Sequence, residues 1–355
     1  MTTAGIVGIV GAGTMGAGIA QVALEAGWEV ILHDVDPAAT ERAREQVRRG
    51  LGRRAAKLDL DADPIDAWVD GRLAGLRDAV VLDALATEAT LVIEAAIEDL
   101  ELKRTIFRAL DAGAPPDVIL ATNTSALPIG AIAEATTRPD RVIGLHFFNP
   151  VPLMALVEVV PGARTSTATI ERATTAMRDW RKTPITCADR PGFIVNRVNR
   201  PFTIEALRIL EEGAAGVEDI DAAMRDGGFP MGPFELMDLA GLDVNLAAAR
   251  GVWDGLGRPD HLRPSRIQEH LVETGRLGRK TGAGFYRYED GRRAAVDPEF
   301  AAMANAALGA TAIRDRILAA IDAEAHRAAA DGVAPADDIA TALRLGAGHP
   351  GRDPG

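Results

Sequence analysis

The segment Arg141-Val-Ile-Gly-Leu-His-Phe-Phe-Asn-Pro-Val-Pro-Leu-Met-Ala-Leu-Val-Glu-Val-Val160 sets one imidazole, His146, and one carboxylate, Glu158, in a stretch that otherwise reads as buried strand. A carboxylate bonded to one imidazole nitrogen fixes the tautomer and stabilises the imidazolium, leaving the other nitrogen to exchange a proton with a hydroxyl. The two side chains must first meet. Between the apolar runs Arg141 to Phe148 and Ala155 to Val160 lies Asn149-Pro-Val-Pro152, whose prolines cannot donate to a central ladder, so the chain is expected to double back there. The competing reading is a core histidine bonded to backbone carbonyls, with Glu158 on a solvated face. The beginning of the chain favours chemistry.

Residues 5 to 10, Gly-Ile-Val-Gly-Ile-Val, lead directly into Gly11-Ala-Gly13-Thr-Met-Gly16 and a helix-like run from Ala17 to Ala26, stopped by Gly27. In such a strand, turn and helix the first glycine permits the tight turn, the second lets backbone approach a pyrophosphate, and the third lets helix pack on strand. Three glycines at that spacing fix little in a chain holding 36 of them, so the context carries the reading. Trp28 to Leu32 reads as the next strand, with Asp34 at its end. An acid there accepts from both ribose hydroxyls and repels a 2′-phosphate, which favours NAD over NADP; Asp36 ranks second for that role.

Seven motifs occur in one order: Gly11-Ala-Gly-Thr-Met-Gly16, Ile93-Glu-Ala-Ala-Ile-Glu98, Thr122-Asn-Thr-Ser125, His146-Phe-Phe-Asn-Pro150, Asp189-Arg-Pro-Gly-Phe-Ile-Val-Asn-Arg197, Gly232-Pro-Phe-Glu-Leu-Met-Asp238 and Gly278-Arg-Lys-Thr-Gly-Ala-Gly-Phe-Tyr286. On them, residues 5 to 288 resemble the 3-hydroxyacyl-CoA dehydrogenase family, whose short-chain bacterial members act on 3-hydroxybutyryl-CoA. The resemblance implies that His146 takes the 3-hydroxyl proton, that Glu158 orients it, and that Ser125 and Asn196 hold the substrate oxygen, with the site between two domains. It further implies cofactor contacts for Gly11, Gly13, Thr14, Met15, Gly16, Asp34, Glu98, Lys103 and Asn123, and substrate contact for Asn149. Taken singly, Ser125 equally reads as a helix cap, Asn196 as a buried amide and Lys103 as one charge on a solvated helix face.

A net charge of −12 argues against a nucleic-acid partner, whose affinity rests on clustered cations. Coenzyme A is itself anionic and needs a local basic patch. Arg49, Arg53, Arg54 and Lys57 are the candidates, though a solvated amphipathic helix explains them as well. The single cysteine, Cys187, forms no internal disulfide and argues against a metal-thiolate cluster, so no metal is expected and a cytoplasmic location is. The first 41 residues carry no Lys or Arg and are rich in glycine, which separates them from a secretion signal, and no apolar run reaches membrane-spanning length.

The fold class expected is α/β: a Rossmann-type, mostly parallel sheet domain over residues 1–188, followed by an all-α domain over 189–288 and a helical tail over 289–355. Helices are predicted at Phe193 to Glu212, Val217 to Arg225, Pro233 to about Trp253 and Arg263 to Thr274. Relatives of this kind dimerise through the helical domain, so a homodimer is expected. The tail holds a repeat. Glu205-Ala-Leu-Arg208, Gly213, Asp219-Ile220, Ala223 and Arg225-Asp-Gly227 recur 119 residues later as Glu324-Ala-His-Arg327, Gly332, Asp338-Ile339, Ala342 and Arg344-Leu-Gly346, and Pro230 recurs as Pro350 after one insertion. Half a domain cannot bury its own apolar face, so helices over Pro298 to Ala330 and Ala336 to Leu345 are expected to pack on the first copy or at the dimer interface.

Three functions stand at this stage. The first is an NAD-dependent (S)-3-hydroxyacyl-CoA dehydrogenase. The second is a dehydrogenase of a free hydroxy acid, of carnitine or gulonate type, or of an acyl carrier protein thioester. The third is a non-enzymatic binding or structural protein on an old dehydrogenase fold, against which the retained Ser125, His146, Glu158 and Asn196 argue.

Overall fold

The structure is a computed structural model and describes residues 5–58, 62–301, 303 and 308–351. The chain separates into two compact units, Met1–Arg190 and Pro191–Gly355.

The first unit is built on one sheet whose strands are β1 Ile6–Val10, β2 Glu29–His33, β3 Leu76–Asp78, β4 Leu91–Glu94, β5 Ile119–Thr122, β6 Val142–Phe147, β7 Leu156–Pro161 and β8 Thr183–Thr186. Their order across the sheet is β3-β2-β1-β4-β5-β6-β7-β8. β1 to β6 are mutually parallel, as expected where helices cover both faces; β7 runs antiparallel to β6, and β8 parallel to β7. The helices between are α1 Thr14–Glu25, α2 Pro37–Ala55, α3 Ala62–Leu73, α4 Leu82–Glu88, α5 Leu100–Gly113, α6 Ile129–Ala133 and α7 Thr167–Asp179. The chain reverses its winding between β1 and β4, and such a switch opens a crevice at the carboxyl ends of the strands.

Alternation along β6 and β7 decides which side chains face that crevice's side of the sheet. Ile143, Leu145, Phe147, Val157 and Val159 join the core formed with α1, α2 and α7. Gly144, His146 and Glu158 therefore point to the other face, where the Gly144 position lies against Ile129 of α6. A one-residue slip of either strand would put its ionisable group into an apolar core, so the pattern fixes the pairing.

The second unit holds α8 Val195–Val198, α9 Arg200–Glu211, α10 Val217–Asp226, α11 Pro233–Ala240, α12 Leu242–Gly255, α13 Arg266–Glu273, a hairpin of β9 Tyr286–Glu289 and β10 Arg292–Val296, then α14 Pro298–Ala301, α15 Ala310–Ala330 and α16 Ala336–Ala347. Three sequence expectations need correction. The helix expected from Phe193 to Glu212 is two, α8 and α9, with Pro201 in the first turn of the second. The helix expected from Pro233 is also two, because Gly241 adopts φ +96° between α11 and α12. The unit is not wholly helical, since a hairpin follows Gly284; Asp238 seats its start by accepting from the backbone N–H groups of Phe285 (3.0 Å) and Tyr286 (2.9 Å). Of the helix expected over Pro298 to Ala330, residues 302 and 304–307 lie outside the described residues, as do 352–355 of the tail.

Candidate active site

β1 ends in the turn Gly11-Ala-Gly13, and the geometry requires glycine at two places. Gly11 has φ +103°, and a Cβ at Gly16 would stand 1.8 Å from the Gly11 carbonyl oxygen, so α1 crosses the turn in backbone contact. Space around the Gly13 Cα is open, and no side chain caps α1. The first-turn N–H groups of Thr14, Met15 and Gly16 thus form the dipole end that suits a pyrophosphate. Asp34, after β2, accepts from Ala12 N–H at 2.7 Å and from Asp36 N–H at 2.9 Å, which fixes its carboxylate at the turn. Asp36 is otherwise engaged: it caps α2 through Ala38 N–H and pairs with Arg42. A cavity of about 740 Å³ lies against Gly13, Thr14, Asp34, Arg42 and Arg49, room that fits a nucleotide end.

The four cations expected for coenzyme A have different surroundings. Arg49 lines this cavity, Arg54 leans on Glu25 at 3.7 Å, and Arg53 and Lys57 are exposed. Arg49, Arg53 and Lys57 recur every four residues along one face of α2 and the turn after it, with Arg54 beside them.

At the ends of β4, β5 and β6 the polar side chains interlock. His146 and Glu158 are cross-strand partners, with His146 Nδ1 2.6 Å from Glu158 Oε2; Glu158 is fully buried and His146 is 6% exposed. A carboxylate only accepts, so the bonded nitrogen is Nδ1–H and the basic lone pair stays on Nε2. The Phe148 ring lies 4.5 Å from the imidazole, centroid to centroid. Asn123 Oδ1 accepts from Phe147 N–H at 2.9 Å and so ties the loop after β5 to the strand of His146. Asn149 is exposed and precedes a cis peptide bond to Pro150.

Glu98 organises the next loop. Its Oε1 accepts from Thr124 Oγ1 (2.6 Å), Ser125 N–H (2.9 Å), Ser125 Oγ (3.3 Å) and Ala126 N–H (3.2 Å). Partial burial opposes its ionisation, yet the Thr124 hydroxyl and the Lys103 ammonium outweigh it and hold the carboxyl below the usual range. Lys103 does not reach the surface as expected of a cofactor contact. It is 1% exposed, with Nζ 2.7 Å from Glu94 Oε1 and 3.4 Å from Glu98 Oε2, because an unpaired buried ammonium would be costly. Glu94 also accepts from Thr122 Oγ1, which completes a buried network under the loop. Asn196 lies in α8 of the second unit.

Sequence reading missed Lys182. This buried ammonium donates to the carbonyls of Val151 (2.5 Å) and Met154 (2.8 Å), bracing the turn that returns the chain from His146 to Glu158. Only its place just before β8 hints at this.

A parallel sheet with a glycine turn at its switch point, an acid after the second strand and an imidazole–carboxylate pair at the carboxyl edge defines a nicotinamide-dinucleotide dehydrogenase. The chain belongs to the 3-hydroxyacyl-CoA dehydrogenase family: the model of its NAD-binding domain matches residues 6–190, and that of its C-terminal domain residues 192–288. It is 46% identical over 294 residues to the 3-hydroxyadipyl-CoA dehydrogenase of Escherichia coli K12, a match covering 82% of this chain and 61% of that protein. It is 42% identical over 282 residues to a probable 3-hydroxybutyryl-CoA dehydrogenase of Deinococcus radiodurans, covering 79% of this chain and 99% of that one. A solved 3-hydroxybutyryl-CoA dehydrogenase from Escherichia coli K12 superimposes with a TM-score of 0.87 at 37% identity, over 98% of this chain and 90% of that one. The (S)-3-hydroxybutyryl-CoA dehydrogenase from Ralstonia eutropha gives 0.77 at 40%, over 81% and 100%.

Proposed function

We propose that this chain interconverts (S)-3-hydroxyacyl-CoA and 3-ketoacyl-CoA thioesters of short chain, with His146 as the proton-transfer group. The observation that carries this is the 2.6 Å contact between His146 Nδ1 and Glu158 Oε2 on adjacent strands. Glu158 holds the tautomer and stabilises the imidazolium, so Nε2 takes the hydroxyl proton on oxidation and returns it on reduction. Ser125, held by Glu98 through its backbone N–H, turns its hydroxyl from that carboxylate to donate it to the substrate oxygen, and Asn196 serves the same oxygen. NAD supplies the hydride chemistry when bound. Gly11 to Gly16 hold its pyrophosphate and Asp34 its adenosine ribose; Asn123 and Lys103 act one layer behind, through Phe147 and Glu98. Asn149, Arg54 and Lys57 remain the reading for the carrier end of the substrate.

The relative named for 3-hydroxyadipyl-CoA favours a second reading, a dicarboxylic acyl chain. NADH oxidation with acetoacetyl-CoA, longer 3-ketoacyl-CoAs and 3-ketoadipyl-CoA separates the two. Activity only with a free hydroxy acid or a carrier-protein thioester would displace both. A cytoplasmic setting belongs to the same proposal, supported by a lone buried cysteine, Cys187; no helix among the described residues is long and apolar enough to cross a membrane. A homodimer through the helical unit would need a face that α15 and α16 leave open.

A further inference from the structure

The 119-residue repeat in the second unit is also a symmetry of its contacts. Arg197 Nε donates to Glu324 Oε1 at 2.7 Å, and Arg316 Nε donates to Glu205 Oε1 at 2.6 Å. Arg316 is Arg197 shifted by 119, and Glu324 is Glu205 shifted by 119, so each pair is the other with its partners exchanged. The second guanidinium nitrogen repeats the relation: Arg197 reaches Asp331 at 2.5 Å, while Arg316 reaches Glu212, the residue 119 before Asp331, at 2.6 and 2.7 Å. After the one-residue insertion the reciprocity continues at a shift of 120. A Cβ at Gly228 would meet Pro350, and one at Gly348 would meet Pro230, both at 3.1 Å. Phe229 stacks edge-on against His349, its own counterpart, 4.9 Å away.

The helices obey the same rule. α15, the copy of α8 and α9, packs on α9; α10 packs on α15 as α16 packs on α8. α15 is continuous where the first copy breaks, because Ala320 stands at the place of Pro201. Contacts in which residue i meets j and j meets i are the mark of an isologous two-fold interface, which ordinarily joins two identical chains. Here both halves belong to one chain. Arg197 and Glu324 are 3% and 0% exposed, so the seat is filled and closed to a second occupant.

We propose that residues 310–347 are an internal stand-in for a second copy of the helical unit, occupying in cis the face a homodimer would use, and that the whole chain is monomeric. The inference rests on the repeat and its reciprocal contacts and is independent of the catalytic reading. Sedimentation of the full chain up to ~100 μM is expected to give the mass of one chain, and a dimer would overturn the proposal. Full-length Arg316→Glu sets a negative charge against Glu205 and Glu212. Amides of α9 and α15 are expected to exchange together at least about tenfold faster, with dimer appearing, and Glu205→Arg with Glu212→Arg in the same chain to reverse both effects. Unchanged exchange in α9, or loosening of α15 alone, would show that the tail is an appendage and end the idea. Were Arg316→Glu to precipitate, the wild-type mass and the triple variant still decide.

Discussion

Glu98 Oε1 and Ser125 are joined twice, through the Ser125 backbone N–H at 2.9 Å and its hydroxyl at 3.3 Å. One carboxylate oxygen thus sets both the loop after β5 and the serine proposed to meet the substrate. Glu98→Gln removes the charge that draws four donors together, and losing such charge-assisted bonds costs on the order of 1–3 kcal/mol. We expect kcat/KM for 3-ketoacyl-CoA to fall at least about tenfold, with the protein still folded. Steady-state kinetics of Glu98→Gln beside Ser125→Ala checks it, since the effects should overlap in the double variant.

His146→Gln should lower kcat by at least about a hundredfold while NAD affinity changes little, because in the proposed reaction Nε2 moves the proton and the glycine turn binds the cofactor. Turnover together with NADH titration measures both. A variant within tenfold of wild type would remove His146 from the reaction.

Asp34 holds Ala12 N–H and is the acid proposed for the adenosine ribose. Asp34→Ser keeps a short acceptor but deletes the charge. We expect KM for NAD to rise about tenfold and the preference over NADP to shrink, read from kcat/KM for the two cofactors. Unchanged preference would pass the role to another group.

How much of this was legible depended on whether the signal was local. The glycine turn, Asp34 and the strand reversal at Asn149-Pro-Val-Pro152 are written in neighbouring residues, and from them the facing of His146 and Glu158 follows by strand alternation. The break at Gly241 was not legible, because apolar periodicity runs through it. A Cβ there would meet Asp243 Oδ1 at 2.9 Å and Lys280 Nζ at 3.0 Å, a partner 39 residues away. Lys103 read as a cofactor contact or a solvated charge, and not as a buried one, for the same reason: its burial depends on Glu94 at the end of β4. Sequence gives a cation's place on its own helix, but the carboxylates that make burial tolerable come from elsewhere in the fold. The repeat in the tail was visible, whereas its reciprocal ion pairs needed both copies in place.

The Lys182 amine supplies a prediction in pH. Burial pushes it down from 10.5 to about 8, with Glu25 opposing the shift. A base whose folded value lies below its unfolded one contributes most above the unfolded value, and that contribution is lost as pH falls through the folded one. The window is therefore pH 8 to 10.5. Other groups titrate there too, so the quantity to follow is the difference in urea midpoint between wild type and Lys182→Met. That difference should grow in favour of wild type on going from pH 8 to 10.5, by no more than about 3 kcal/mol at ~1.4 kcal/mol for each pH unit. A flat difference would mean that the ammonium keeps its proton against the Val151 and Met154 carbonyls. The brace on the His146 turn would then be an ammonium–carbonyl contact whose contribution is the same across this window, not a neutral hydrogen-bonded one that alkaline pH favours.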